Sequence, residues 1–330
     1  MPSSDLILVL LGRINSSLQA QQPPYSVIIR GGIVIDGSGE ERQSTDVGIR
    51  AGRIVALGDL KNAKADRIID AKNRIVCPGF IDLHNHADRA ILSYRAAENY
   101  IRQGVTTLVC GNCGGSPTDI GKLFKELRKK GTGPNIAMLV GHGSVREKVM
   151  GRINAAPSLQ QLNEMRRLVS QAMKDGAIGL STSLRYGAGT YATTDEIVTL
   201  VKEIAPYGGF YATHMRDEGT RILEAVEEAL LIGEKANVPV HISHHKISSA
   251  SVFGLTRQTL ARIDQARKSG CDVTLDQYAY GADRKRTCLN YSHDVISYGV
   301  FCLKKHLYLN TVIISYYVPL FCFHYFLHYN

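Results

Sequence analysis

An α/β barrel of the TIM type, with about seven of its eight strands legible and a small β-sandwich module ahead of it, is the fold this 330-residue sequence predicts. Three observations predict it. From Gly79 onward, short apolar runs alternate with helix-length amphipathic stretches, the rhythm of a parallel sheet wound with helices. Histidine and cysteine fall at the C-terminal ends of several of those runs, where barrels of this type build their sites. Before Gly79 the pattern is different, with short strand-like runs punctuated by turns and no helical period.

Residues 1–24 end in Gln-Gln-Pro-Pro and read as a leader or flexible arm. Their apolar run, Leu6 to Leu11, follows Asp5 with no basic stretch and is too short for a signal peptide. A cytoplasmic location is therefore expected, with secretion as the alternative. In the module at 25–78, strands are expected at 26–30, 32–36, 47–50, 53–57, 67–70 and 74–77, with Asp36-Gly37 and Ala51-Gly52 as turns. The barrel at 79–283 has expected strands at 80–84, 106–110, 136–140, 177–181, 210–213, 238–243 and 272–276. Helices are expected between them at 96–103, 120–129, 159–174, 194–204, 222–236 and 256–268. The stretch 159–174 aligns Leu162, Met165, Leu168, Val169 and Ala172 on one side, as a helix packed on a sheet requires. No eighth strand is legible.

Residues 284–330 break the pattern. They hold seven of the sixteen tyrosines, four of the eight phenylalanines and three of the seven cysteines, with no strand–helix rhythm. The stretch 307–327 is apolar enough to weigh as a membrane anchor, but Asn310, Pro319 and His324 interrupt the span of ~20 apolar residues that crossing requires. The tail reads instead as sequence foreign to the fold, such as an alternative or misread 3′ end, and membrane attachment is not expected.

A hydrophobic content of 44% supports a sizeable core. Of the net charge of +9, +4 lies in 284–330, and the remaining bases are dispersed without a basic block, so no nucleic-acid partner is expected. The odd set of seven cysteines has no secreted-domain spacing, and Cys110 and Cys113 have no second Cys-x-x-Cys to complete a zinc ribbon. One cysteine serving alongside histidines is the more economical arrangement.

The chemistry begins at Pro-Gly-Phe-Ile-Asp-Leu-His-Asn-His (78–86). On a strand, side chains two apart share a face, so His84 and His86 can grip one ion. Cys113, His214 and His244, each ending an apolar run, can hold another, and a thiolate at Cys113 has the lone pairs to serve both. A metal that activates water and polarises a carbonyl points to amide hydrolysis. Lys246, two residues after a ligand, would share its face and meet an anionic substrate. His245 has the opposite parity and reads as structural, and His142, in Gly-His-Gly, is a second-tier pocket candidate. Asp88 and Asp217, each close behind a ligand histidine, read as supporting or rim residues.

The run Ser26-Val-Ile-Ile-Arg-Gly-Gly-Ile-Val-Ile-Asp-Gly, the 78–86 segment, Cys-Gly-Asn-Cys-Gly (110–114), Tyr-Ala-Thr-His-Met-Arg-Asp-Glu (211–218), Ile-Ser-His-His-Lys (242–246) and Leu-Asp-Gln-Tyr (275–278) together resemble the D-aminoacylase, or N-acyl-D-amino-acid deacylase, branch of the amidohydrolase superfamily. The resemblance covers 25–283. It implies that Cys113, His214 and His244 hold a tightly bound zinc, with His84 and His86 near a weaker second position. It also implies that Lys246 binds the substrate carboxylate and that Tyr186 and Tyr278 line the same pocket. The implied reaction is zinc-dependent hydrolysis of a small N-acyl-D-amino acid to a carboxylate and a D-amino acid. Members carry a general acid/base aspartate at the end of the eighth barrel strand and an arginine for the substrate carboxylate, and the resemblance ends before both. Asp276, Asp283 and Asp294 are the nearby acids, and none stands in a matching motif. The catalytic residue is thus unassigned, and two alternatives stand beside an active deacylase: an inactive, truncated amidohydrolase, and a cyclic-amide hydrolase of the dihydroorotase or hydantoinase kind. The latter enzymes bridge their metals with a carboxylated lysine, whereas Cys113 is the bridge candidate here.

Overall fold

The computed structural model describes residues 25–277 and the backbone of 311–314. Tyr278, Asp283, Asp294, the 1–24 arm and the rest of the 284–330 tail lie outside the described residues. The described chain divides into two compact units, one of residues 25–78 with strand Thr311–Ile314, the other of residues 79–277.

In the first unit, β1 (Tyr25–Val34) is one ten-residue strand where two were expected, because a bulge between Ile29 and Gly32 lets it bend without leaving the sheet. It pairs antiparallel with β2 (Gln43–Arg50), which pairs with β3 (Arg53–Gly58). On its other side β1 takes β4 (Ala65–Asp70) along its first half and β5 (Ile75–Pro78) along its second, both parallel. The module expected as a sandwich thus hydrogen-bonds as one six-stranded sheet around Val27, Ile29, Val47, Ile49, Ala71 and Val76. Residues 311–314 pair in parallel with β5, a strand that the reading of the tail as foreign sequence does not predict.

The second unit is a curled sheet of seven parallel strands in sequence order, an incomplete TIM-like barrel. Its strands are β6 (Phe80–Asp82), β7 (Val105–Cys110), β8 (Asn135–Gly141), β9 (Gly179–Ser183), β10 (Phe210–His214), β11 (Val240–Ile242) and β12 (Val273–Leu275). Between them lie α1 (Glu98–Ile101), α2 (Ile120–Lys130), α3 (His142–Met150), α4 (Leu159–Lys174), α5 (Thr194–Val201), α6 (Ile222–Ala236) and α7 (Thr256–Lys268). Strand alternation sorts the apolar residues into two layers. Met138 and Val140 of β8 join the main core with Met165, Leu168 and Val169 of α4, while Ala137 and Leu139 form a second cluster with Val109 and Ala212. Helix α4 starts where Ser158 and Gln161 close a capping box, and its buried side carries Met165, Leu168, Val169, Ala172 and Met173. Among the described residues no helix is long and apolar enough to cross a membrane.

Helix α3 was not expected. Its Gly-His-Gly-Ser start reads as a loop, and its backbone is anchored by a buried ion pair of Arg146 rather than by an apolar stripe. Strands β6, β11 and β12 are also shorter than their apolar runs, three residues each, because the chain leaves the sheet to form the loops that carry the site.

Candidate metal centre

The loops after β6, β7 and β11, with the last residue of β10, bring the five sequence-derived metal candidates together. Donor atoms of His84, His86 and Cys113 lie within 4.8 Å of one another, as do those of Cys113, His214 and His244, so the Cys113 sulfur belongs to both groups. Cys113 Sγ is 3.4 Å from His84 Nε2 and 3.8 Å from His244 Nε2. The rings of His214 and His244 stand edge to face, with centroids 4.4 Å apart.

Backbone shape explains how a cysteine reaches this position. Cys113 has φ +53°, in the left-handed region, between Gly111 at +79° and Gly114 at +72°. The Ser181 hydroxyl accepts from the Gly114 N–H and donates to the Gly111 carbonyl, pinning the turn to β9. A Cβ on Gly111 would lie 2.1 Å from the Leu139 carbonyl oxygen. Gly111→Ala is therefore expected to destabilise the protein by about 1–3 kcal/mol, read as a lowered midpoint in urea at unchanged slope. A wild-type midpoint would show that the turn is not held as described.

Elsewhere the strand-parity argument gives way to loop geometry. His84 and His86 lie beyond the end of β6, and His244 and Lys246 lie beyond β11. His244 itself has φ +39°, and its N–H donates to Asp276 Oδ1 at 2.7 Å. Lys246 does not reach His244 by sharing a strand face. Its Nζ lies 3.1 Å from His244 Nδ1 and donates to Glu218 Oε1 at 2.7 Å. Tyr186 is 47% exposed, and its ring meets that of His214 edge-on at 5.1 Å, with the Arg185 guanidinium 5.8 Å from the centroid of the tyrosine ring. His142 is wholly buried and donates to Glu196 at 3.0 Å, so it belongs to the anchor of α3. His245 is buried, and its backbone N–H donates to the Asp276 carbonyl. Asp217 caps the N–H groups of Gly219 and Arg221, and Asp88 accepts from the Gly111 N–H.

Two carboxylates support the centre: Glu218, which the sequence reading did not single out, and Asp276, which it named only as a nearby acid outside any matching motif. Asp276 Oδ2 accepts from His84 Nδ1 at 3.1 Å and from His241 Nε2 at 2.8 Å. Glu218 Oε1 accepts from His244 Nδ1 at 2.9 Å. The available signal was position alone, since Asp276 directly follows β12 and Glu218 lies four residues after His214.

The electrostatics follow from these contacts. Burial works against a charged thiolate at Cys113, but the facing imidazoles of His214, His244 and His84 outweigh it and hold the thiol well below its ordinary value. Burial also opposes protonation of His84, yet Asp276 and Cys113 push it up to about 10. Burial raises Glu218, and the contact with His244, supported by His214 and Lys246, brings its carboxyl down to about 2. Burial is the largest influence on His214 and lowers its value, which favours the neutral, ligand-competent imidazole.

The donor set fits a metal ion. A thiolate and imidazoles are the ligands that zinc and its neighbours prefer. Both ring nitrogens of His214 are buried without a hydrogen-bond partner, and Nε2 remains 3.9 Å from Glu218 Oε1. A buried imidazole nitrogen left in that state is costly unless an ion takes its lone pair.

Known proteins carry the same architecture. The D-aminoacylase of Alcaligenes xylosoxydans xylosoxydans is 39% identical over 287 residues, covering 80% of this chain and 59% of that enzyme. A solved structure of D-aminoacylase, described by the functional role of its binuclear metal centre, superposes with a TM-score of 0.74 at 39% identity, over 78% of this chain and 59% of that one. N-acyl-D-glutamate deacylase from Bordetella bronchiseptica, solved with zinc and a phosphonate mimic of the tetrahedral intermediate, superposes with a TM-score of 0.76 at 34% identity, over 78% and 59% of the two chains. The chain thus spans about three fifths of the length of these relatives. With its wound parallel sheet, its strand-end cluster of histidines and cysteine, and a match of residues 67–289 to the family as a whole, the chain belongs to the amidohydrolase family.

Proposed function

We propose that this chain carries the site of a zinc-dependent deacylase, which hydrolyses the amide bond of an N-acyl-D-amino acid to a carboxylate and a D-amino acid. The observation that carries the reading is the convergence of one thiol and four imidazoles on a shared Cys113 sulfur. Cys113, His214 and His244 would hold one zinc, and His84 and His86, with the same sulfur, would flank a second position. Bound there, zinc supplies Lewis acidity and a nucleophile available at neutral pH.

The chain's own groups do the rest. Asp276 and Glu218 keep the Nδ1 protons of His84 and His244, leaving each Nε2 directed at Cys113. Lys246 offers a cation beside His244 for the substrate carboxylate, and Tyr186, edge-on to His214, forms an apolar wall at the rim. Tyr278, outside the described residues, is assigned to the substrate by the sequence resemblance alone. The substrate class, including the D configuration, is taken from the named relatives. Proton delivery to the leaving amine is assigned to no described residue.

The test is amine release from N-acetyl-D-methionine, N-acetyl-D-glutamate and their L-enantiomers by the full chain loaded with zinc. Release from the D-forms is expected, abolished by a chelator and restored by zinc. No turnover by folded, zinc-replete protein would end the reading.

A further inference from the structure

Glu218 is buried beneath His244 and Lys246, with its side chain 5% exposed. One oxygen, Oε1, lies 2.9 Å from His244 Nδ1 and 2.7 Å from Lys246 Nζ. Its backbone is fixed as well, since the Glu218 carbonyl accepts from the N–H of Ser248 at 2.7 Å and from the Ser248 hydroxyl at 3.0 Å. The segment after β10 is thereby tied to the segment after β11 that carries both His244 and Lys246.

We infer that Glu218 is a positioning residue that couples the metal ligand His244 to the cation Lys246. A carboxylate has only lone pairs to offer, so both neighbours must act as donors toward it. His244 Nδ1 stands 2.9 Å from Glu218 Oε1 and 3.1 Å from Lys246 Nζ; an ammonium cannot accept, so a proton on Nδ1 goes to the carboxylate, and the Nε2 lone pair is left facing Cys113, the tautomer a metal requires. The same oxygen fixes Lys246, whose Nζ also donates to the His244 carbonyl at 3.3 Å. The ammonium therefore stands at a set distance from the metal ligands, although its residue lies in a loop beyond β11 rather than on a rigid strand. An anionic group arriving at Lys246 shares it with Glu218 and is placed relative to the ion by that shared contact.

This inference rests on the metal reading above, and the experiment separates the two. Zinc dissociation constants are measured by competition with a chromophoric chelator for the wild-type chain, Glu218→Gln, Glu218→Asp and Lys246→Met. The thiolate–cobalt absorption of each Co2+-loaded protein is recorded alongside. Glu218→Gln is expected to weaken zinc by about 10- to 100-fold and to alter the cobalt spectrum. Glu218→Asp keeps the charge but is one methylene too short to reach both donors, so it is expected to fall between the two. Lys246→Met leaves the contact between Glu218 and His244 in place and is expected to stay within about threefold of wild type. Should Glu218→Gln not fold, Glu218→Asp with its spectrum decides. Wild-type zinc affinity in both Glu218 variants, with unchanged cobalt spectra, would overturn the coupling while leaving the metal site standing. Absence of zinc binding by the wild-type chain would remove the site and the coupling together.

Discussion

Replacing Cys113 with alanine is expected to strip the protein of its metal. The Cys113 sulfur is the one donor common to both ligand groups, so its loss leaves each group with two imidazoles. It is also the one donor whose ionised form three neighbouring imidazoles favour against the opposing effect of burial. Zinc sites with a full ligand set bind with about 10–16 kcal/mol, so losing one anionic ligand of three is expected to weaken affinity by at least about 100-fold. Dialysed Cys113→Ala protein is therefore expected to retain almost no zinc by elemental analysis, while wild type retains it. Cys110→Ala is the matched control. Cys110 lies three residues away in the same Cys-Gly-Asn-Cys segment, is fully buried, and faces Asn85 Oδ1 at 3.1 Å, so its removal creates a small cavity and leaves the donor set intact. Full zinc retention by Cys113→Ala, or equal loss in both variants, would show that the cluster does not bind through this sulfur.

The sequence made the barrel legible where periodicity and caps agreed. Helices α4, α6 and α7 have the expected bounds because their amphipathic stripes are long, and Ser158 and Asn237 mark a start and a stop. It failed where an element is held by polar groups. Helix α3 carries only Val145 as a fully buried aliphatic, and its anchor, Arg146, looks like a surface residue until Glu196, fifty residues away, is seen beside it. The metal candidates were legible because histidine and cysteine recur at the ends of several apolar runs, the face on which barrels of this kind build their sites. The geometry that joins them was not. His84, His86, His244 and Lys246 all lie past the ends of their strands, so alternation along a strand does not explain where they point. Left-handed turns at Cys113 and His244 do, together with Asp276 and Glu218. An aspartate after an apolar run and a glutamate four residues after a histidine are common in any sequence. Only the approach of the segment directly after β12 to the loop after β6 gives the first its meaning.

The second large effect is expected away from the metal. Glu196, Arg146 and His142 form a cluster with essentially no solvent exposure, in which Glu196 Oε1 accepts from Arg146 Nε and His142 Nε2, each at 3.0 Å. The remaining guanidinium donors reach the carbonyls of Ile153 and Ala155, so Arg146 ties α3 to the segment leading into α4. Glu196→Ala would leave the guanidinium buried without its counter-charge, which costs about 3–5 kcal/mol in comparable sites. For a domain of this size that corresponds to a fall of roughly 10 °C in melting temperature. Glu196→Gln keeps an acceptor but loses the charge, and is expected to melt between the two. Glu164→Ala, which removes the exposed partner of Arg167 on α4, is expected to leave the melting temperature unchanged because solvent already screens that pair. If Glu196→Ala melted like Glu164→Ala, the carbonyls of Ile153 and Ala155 would be sufficient to solvate Arg146. The carboxylate would then be dispensable for α3.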